Sequence, residues 1–125
     1  MFTLDHDPVG ASHLIVAAGE LDLAATNELS AILAMAAAGP QGAVALDLAR
    51  VDFIDSSALS IILRSAMQLE NAGKRLVVVA PDGPVRRLLE ITGTASRFSL
   101  SLTREEALAK AAALRDAQAA GAGGA

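Results

Sequence analysis

Four groups of residues in this 125-residue chain have side chains that could do chemistry. The first is Asp55-Ser56-Ser57, a carboxylate and two hydroxyls just ahead of an apolar helical run. Such a triplet can cap a helix, its side-chain oxygen accepting a free backbone N–H for ~1 kcal/mol. It can also supply a nucleophile. The second group is Glu20 and Asp22, which follow a candidate strand. The third is the two histidines, His6 and His13. The fourth is two cation pairs, Lys74-Arg75 and Arg86-Arg87.

Most of the reactive possibilities fail on composition or spacing. A serine hydrolase would need a histidine beside Ser56, yet both histidines fall in the first hairpin, and the G-x-S-x-G elbow is absent. Neither phosphate-cradling motif, G-x-x-x-x-G-K-[ST] or G-x-G-x-x-G, occurs. With no cysteine there is no disulfide, thiolate nucleophile or zinc-thiolate site. The histidines have no second ligand pair at metal spacing and are expected to be ordinary hairpin residues. Arg86-Arg87 suits a solvated helix face. Lys74-Arg75 suits a helix C-terminus, where cations are favoured. No catalytic residue, metal ligand or cofactor is therefore expected.

The elements that must position these groups follow from hydrophobic period and turn chemistry. Phe2 to Asp7 predicts a short edge strand before a turn at Pro8-Val9-Gly10. His13 to Ala18 predicts a strand ending at Gly19. Leu29, Ile32, Leu33 and Ala36 recur at helical spacing, and Gly39-Pro40 stops the run. Ala43 to Leu48 predicts a strand buried on both faces, with Val51 to Ile54 carrying the chain on to Asp55. A second helix carries Leu59, Ile62, Leu63 and Ala66 and closes near Asn71-Ala72-Gly73. Arg75 to Ala80, rich in β-branched residues, predicts another buried strand.

Pro81-Asp82-Gly83-Pro84 makes a turn, with Pro84 placed for the first helical position. Val85, Leu88, Leu89 and Thr92 mark a third helix closed by Gly93. Phe98, Leu100 and Leu102 alternate with serines as in a half-exposed strand. Thr103 to Glu106 fits a capping box for an alanine-rich helix over Ala107 to Ala120. The expected domain covers residues 1–118, with a flexible Ala/Gly tail over residues 119–125. The order β-β-α-β-α-β-α-β-α predicts an α/β domain: a mixed, mostly parallel sheet of four to five strands, flanked by about four helices. Function is expected at the carboxyl ends of its strands, where helix N-termini converge.

Bulk composition supports a folded, single-domain chain. Apolar residues are 53% and charged residues 19% of the total, the reverse of a disordered chain. The formal charge of −4 offers no basic footprint for nucleic acid. The longest near-continuous apolar run, Ala31 to Ala38, is far short of the ~20 residues that cross a bilayer. No basic n-region or long apolar segment opens the chain, so a cytoplasmic location is expected.

Four ordered blocks together resemble a known family: Gly19-Glu20-Leu21-Asp22, Leu46-Asp47-Leu48, Phe53-Ile54-Asp55-Ser56-Ser57-Ala58-Leu59, and Val85 through Gly93. Their order and spacing are similar to the STAS domains of bacterial anti-sigma-factor antagonists, across almost the whole chain. The resemblance implies a non-enzymatic switch. Its partner would be an anti-sigma factor with GHKL-type serine kinase activity, whose capture releases a sigma factor. Phosphorylation of the first serine after the aspartate, Ser56 here, would end the complex, and a PP2C-type phosphatase would reset it. Asp22 matches the family's acidic residue near that serine.

One position departs from the pattern, since Ala58 stands where the family usually has glycine. Its methyl is expected beside the acceptor, where it bears on a kinase's approach. The expected partner surface comprises Asp22, Asp55, Ser56, Ser57, Ala58, Ser60 and Arg64, with Gln68 continuing the outward face of the helix. The same resemblance leaves a second possibility, an unphosphorylated STAS scaffold subunit of a larger assembly such as an ABC-type lipid transport complex. A monomer that exchanges partners is the expected state.

Overall fold

The computed structural model describes residues 1–123, with side-chain surroundings through residue 113. Five strands form one sheet in sequential order: β1 Phe2–Val9, β2 Ser12–Leu21, β3 Ala43–Ile54, β4 Arg75–Val79 and β5 Ser99–Ser101. β1 pairs antiparallel with β2, and every later pairing is parallel. The helices are α1 Thr26–Ala38, α2 Ser56–Asn71, α3 Pro84–Ile91 and α4 Arg104–Gly123. The mixed sheet and four helices are those the alternation of elements predicts.

Sequential strand order and right-handed crossovers put α1, α2 and α3 on one face of the sheet. The main core lies there, built from Ile15, Leu21, Val44, Leu46, Leu48 and Val78 of the sheet against Leu29, Leu33, Leu59, Ile62, Leu69, Val85 and Leu89 of the helices. All of these helix residues but Leu69 belong to the predicted apolar stripes, and Ile32, Leu63, Ala66 and Leu88 of those stripes pack partly buried against them. Thr92 is the exception: it is an exposed C-cap whose hydroxyl donates to the Leu88 carbonyl at 2.8 Å. The other face is thinner. There Ala43, Val77 and Val79 meet Ala107 and Ala111 of α4. Small residues let α4 lie close to the strands. Its N-terminus is fastened by Arg104, whose Nε donates to the buried Asp47 Oδ2 at 2.9 Å.

Several boundaries differ from the sequence reading, each for a long-range reason. β1 runs through Pro8 to Val9, leaving a tighter turn at Gly10-Ala11. Proline is tolerated there because β1 is an edge strand, paired on one side only. β2 does not stop at Gly19 but continues to Leu21, with register shifts against β3 on both sides of that glycine. Gly19 has φ +90°, and a Cβ there would lie 2.3 Å from the Met1 carbonyl oxygen. Glycine is what lets the Met1 carbonyl reach the Glu20 N–H, which donates to it at 3.0 Å. β3 is one strand of 12 residues, not a strand and a connector, because extended β2 supplies it a partner as far as Ile54.

Farther along, β5 holds only Ser99–Ser101: Phe98 is buried before it, while Leu102 is 46% exposed after it. Thr103 caps α4 by accepting the Glu106 N–H at 3.1 Å. The Glu106 carboxylate lies 3.9 Å from Lys110. α4 continues to Gly123, past the expected end at Ala120, and residues 124–125 of the expected tail lie outside the described residues.

The cation pairs also find unexpected partners. Lys74 follows the end of α2 as expected, its N–H donating to the Leu69 carbonyl at 2.8 Å, but its Nζ donates to the Ala37 and Gly39 carbonyls, each at 2.6 Å, and so closes α1 as well. Arg86 donates from Nε to the Ala80 carbonyl and from Nη2 to the Ser101 carbonyl, tying α3 to the ends of β4 and β5. Of that pair only Arg87 is exposed, as expected for a solvated helix face.

Candidate functional site

Parallel pairing of β2 with β3 sets Leu21 opposite Ile54. The next residues, Asp22 and Asp55, therefore leave the sheet from neighbouring strand ends. The Asp55 N–H donates to the Leu21 carbonyl at 3.1 Å, which stitches the two loops together. Asp22 Oδ1 accepts the Ala24 N–H at 3.1 Å and caps a 3-10 turn over Leu23–Ala25. Asp55 caps α2: its Oδ1 accepts the Ala58 N–H at 3.0 Å and the Ser57 hydroxyl at 2.6 Å.

These bonds hold the Asp55 carboxyl below the ordinary carboxylate value. The Ser57 hydroxyl is the largest cause, followed by the Ala58 N–H; partial burial opposes them, and the Ser57 and Leu23 N–H groups add smaller contributions in the same direction as the first two. A carboxyl depressed on folding contributes stability above its unfolded pKa and loses it as pH falls through its folded pKa. Asp55→Asn keeps an acceptor oxygen and removes the charge. It is expected to lower the Tm at neutral pH, with the gap to the parent closing below about pH 4. A gap constant from pH 7 to pH 3 would show that the charge of Asp55 contributes nothing.

The two adjacent serines differ sharply in circumstance. Ser57 is half-buried and its hydroxyl is spent on Asp55. Ser56, the first residue of α2, is exposed, and among the described residues its hydroxyl has no hydrogen-bond partner. Its carbonyl accepts the Ser60 hydroxyl at 2.8 Å. Ser60, Arg64 and Gln68 all lie exposed along one side of α2, as their i, i+4, i+8 spacing predicts.

Ala58 sits otherwise than expected. It is fully buried in the main core, so its methyl faces inward and offers no surface to a partner. Both histidines lie far from Ser56. Their positions on the hairpin pair near the start of β2, six or more residues before its end, a distance of about 20 Å or more along the strand. No Ser–His pair can form at Ser56.

Two apolar residues beside the site were not singled out in the sequence. Leu23 is 72% exposed, and its N–H contributes to the Asp55 bonds. Phe53 is 51% exposed and borders a hollow of about 220 Å³ shared with Ile54, Pro84, Val85 and Leu88. Alternation alone would have turned one of Phe53 and Ile54 outward. It could not say that the outward one borders a hollow against α3.

Comparisons with known proteins bear on the fold and the family. Residues 5–103 match the domain family described as Mlab, STAS domain. The chain is 35% identical over 91 residues to the candidate anti-sigma factor antagonist BtrV of Bordetella bronchiseptica, covering 73% of this chain and 78% of that one. Among solved structures it is similar to an anti-sigma factor antagonist from Mycobacterium paratuberculosis, with TM-score 0.81, 24% identity and coverage of 89% and 94%. It is also similar to the anti-sigma factor antagonist SpoIIAA. The unphosphorylated form gives TM-score 0.67 and 25% identity over 88% of this chain and 96% of that one. The phosphorylated Bacillus form gives TM-score 0.66 and 24% identity over 88% and 98%.

Proposed function

The chain belongs to the STAS domain family, and from that premise we propose that it is an anti-sigma-factor antagonist switched by phosphorylation at Ser56. Its partner in this reading is an anti-sigma factor with GHKL-type serine kinase activity, and a PP2C-type phosphatase restores the active form. The observation that carries the proposal is the contrast between neighbours: Ser57 is committed to the Asp55 cap, whereas Ser56 is exposed with a free hydroxyl on the same helix turn.

The physics of such a switch follows from the cap. A phosphate adds about −1.5 to −2 charge and three acceptor oxygens. A bare helix N-terminus would absorb much of that charge on its free N–H groups. Here the Asp55 carboxylate already holds the Ser57 and Ala58 N–H groups. A phosphate on Ser56 would then stand outward beside two carboxylates, Asp55 and Asp22, and present its charge to whatever docks there. The partner surface in this reading is Asp22, Asp55, Ser56, Ser60 and Arg64, joined by exposed Leu23 and Phe53; half-buried Ser57 supports it from behind, and buried Ala58 drops out of it.

The protein incubated with ATP and a GHKL-type anti-sigma kinase is expected to gain one phosphate on the peptide that carries Ser56. Ser56→Ala should gain none. Mass spectrometry that placed the phosphate on Ser57, or on no serine of this loop, would end the assignment. A pull-down that recovered an ABC-type ATPase instead of a GHKL kinase would favour the scaffold reading.

A further inference from the structure

We propose that the β1–β2 hairpin carries a site for a divalent transition-metal ion, with His6 Nδ1 and His13 Nε2 as its protein ligands. These are the only two imidazoles in the chain, and the fold brings them together. The hairpin register pairs His6 with Ile15 and Pro8 with His13, so the histidines are diagonal neighbours on one face. Their rings stack with centroids 5.2 Å apart and planes inclined by 27°. The two facing nitrogens lie 3.1 Å apart. Two metal–imidazole bonds of ~2.0–2.1 Å, opened between a right angle and the tetrahedral angle, separate their nitrogens by about 2.9–3.4 Å. The observed spacing falls inside that window. The hairpin therefore holds both donors at chelating distance before any ion arrives. Without an ion the contact is an imidazole–imidazole hydrogen bond, so one inner nitrogen carries its proton; the ion replaces that proton, and the ring protons then sit on the outer nitrogens, His6 Nε2 and His13 Nδ1.

The donor set selects the class of ion. Neutral imidazole suits zinc, nickel and copper, whereas magnesium and calcium take oxygen ligands. Among the described residues no third histidine or carboxylate completes the group, so water fills the remaining positions and the ion exchanges readily. Asp5 and Asp7 flank His6 in sequence but pair with Val16 and Leu14, on the opposite face. They act through their field, which together with the formal charge of −4 favours an approaching cation. The mechanical result is a clip. β1 is an edge strand held on one side only, and a shared ion ties it to β2.

Titration of the full chain with zinc chloride by calorimetry is expected to show one ion per chain and a raised Tm. His6→Gln and His13→Gln should each weaken binding about tenfold or more, and magnesium chloride should give no binding heat. The decisive variant is His6→Asp combined with Asp7→His. It keeps the composition and both imidazoles but turns one to the other face of the strand. It should bind as poorly as the single variants, with an unchanged metal-free circular dichroism spectrum. No zinc uptake by the parent chain, or full zinc uptake by this exchanged variant, would overturn the site.

Discussion

If the chain acts as proposed, Ser56→Asp is expected to weaken capture of a GHKL-type anti-sigma kinase by roughly ten- to a hundredfold and to leave the Tm within a few degrees of the parent. The reasoning is local. Position 56 is exposed at the first turn of α2, so a carboxylate there displaces no core contact. Acidic residues are welcome at a helix N-terminus, which protects the fold. The cost falls on the interface. A like-charge contact at 4 Å costs about 1 kcal/mol in water and about 4 kcal/mol at an effective dielectric of 20. A loss of ~1.4 to ~3 kcal/mol corresponds to that ten- to hundredfold range. Aspartate carries one charge where phosphate carries nearly two, so the phosphorylated protein should bind more weakly still. Ser56→Ala should bind as the parent does. Calorimetry or surface plasmon resonance with the kinase measures the first effect and thermal unfolding the second. If Ser56→Asp unfolds the domain, or binds as tightly as Ser56→Ala, the interface account is wrong.

Leu21→Ala should do the opposite: damage the fold first and the site through it. Leu21 is fully buried at the end of β2, and its carbonyl accepts the Asp55 N–H. Removing a buried leucine down to alanine costs about 2–5 kcal/mol from lost transfer energy and the cavity left behind. For a domain of this size that lowers the Tm on the order of 10 °C. The cavity opens directly beneath the junction of the Asp22 and Asp55 loops, so hydrogen exchange at the Asp55 amide should accelerate more than at the β4 amides. Chemical denaturation gives the stability change, and exchange-detected NMR gives its location. A loss under about 1 kcal/mol would mean that the strand end relaxes around the missing atoms and is no rigid support for the site. Taken together, the two variants separate charge at the surface from support beneath it.

Much of the fold was legible from short-range pattern. The stripes of α1 and α2 sit in the core where their spacing placed them. Ala43 through Leu48 is buried throughout, as a two-faced strand should be. The mixed sheet with one antiparallel edge follows from the order of elements. What failed were boundaries set by a neighbour rather than by local preference. Gly19 looked like a strand end, because glycine usually is one, yet it lies inside β2 where the first residue of the chain crosses close by. Lys74 marks the end of α2 as its sequence position suggested, but its ammonium serves α1, 35 and 37 residues earlier in the chain. Ala58 looked like a surface methyl beside the acceptor, but the rotation of α2 against the sheet buries it.

By itself the sequence determined the alternation of strands and helices, the placement of Asp55 as a helix cap and the position of Ser56 one residue beyond it. These depend on period and capping, which act over one or two turns of chain. Tertiary structure decided the rest. It set Asp22 next to Asp55, drew His6 and His13 to 3.1 Å, and turned Ala58 into the core. Each of those outcomes depends on the register between strands, or on the direction a helix turns to bury its apolar side. Both are settled by packing over the whole domain, and so neither can be read from any single stretch of residues.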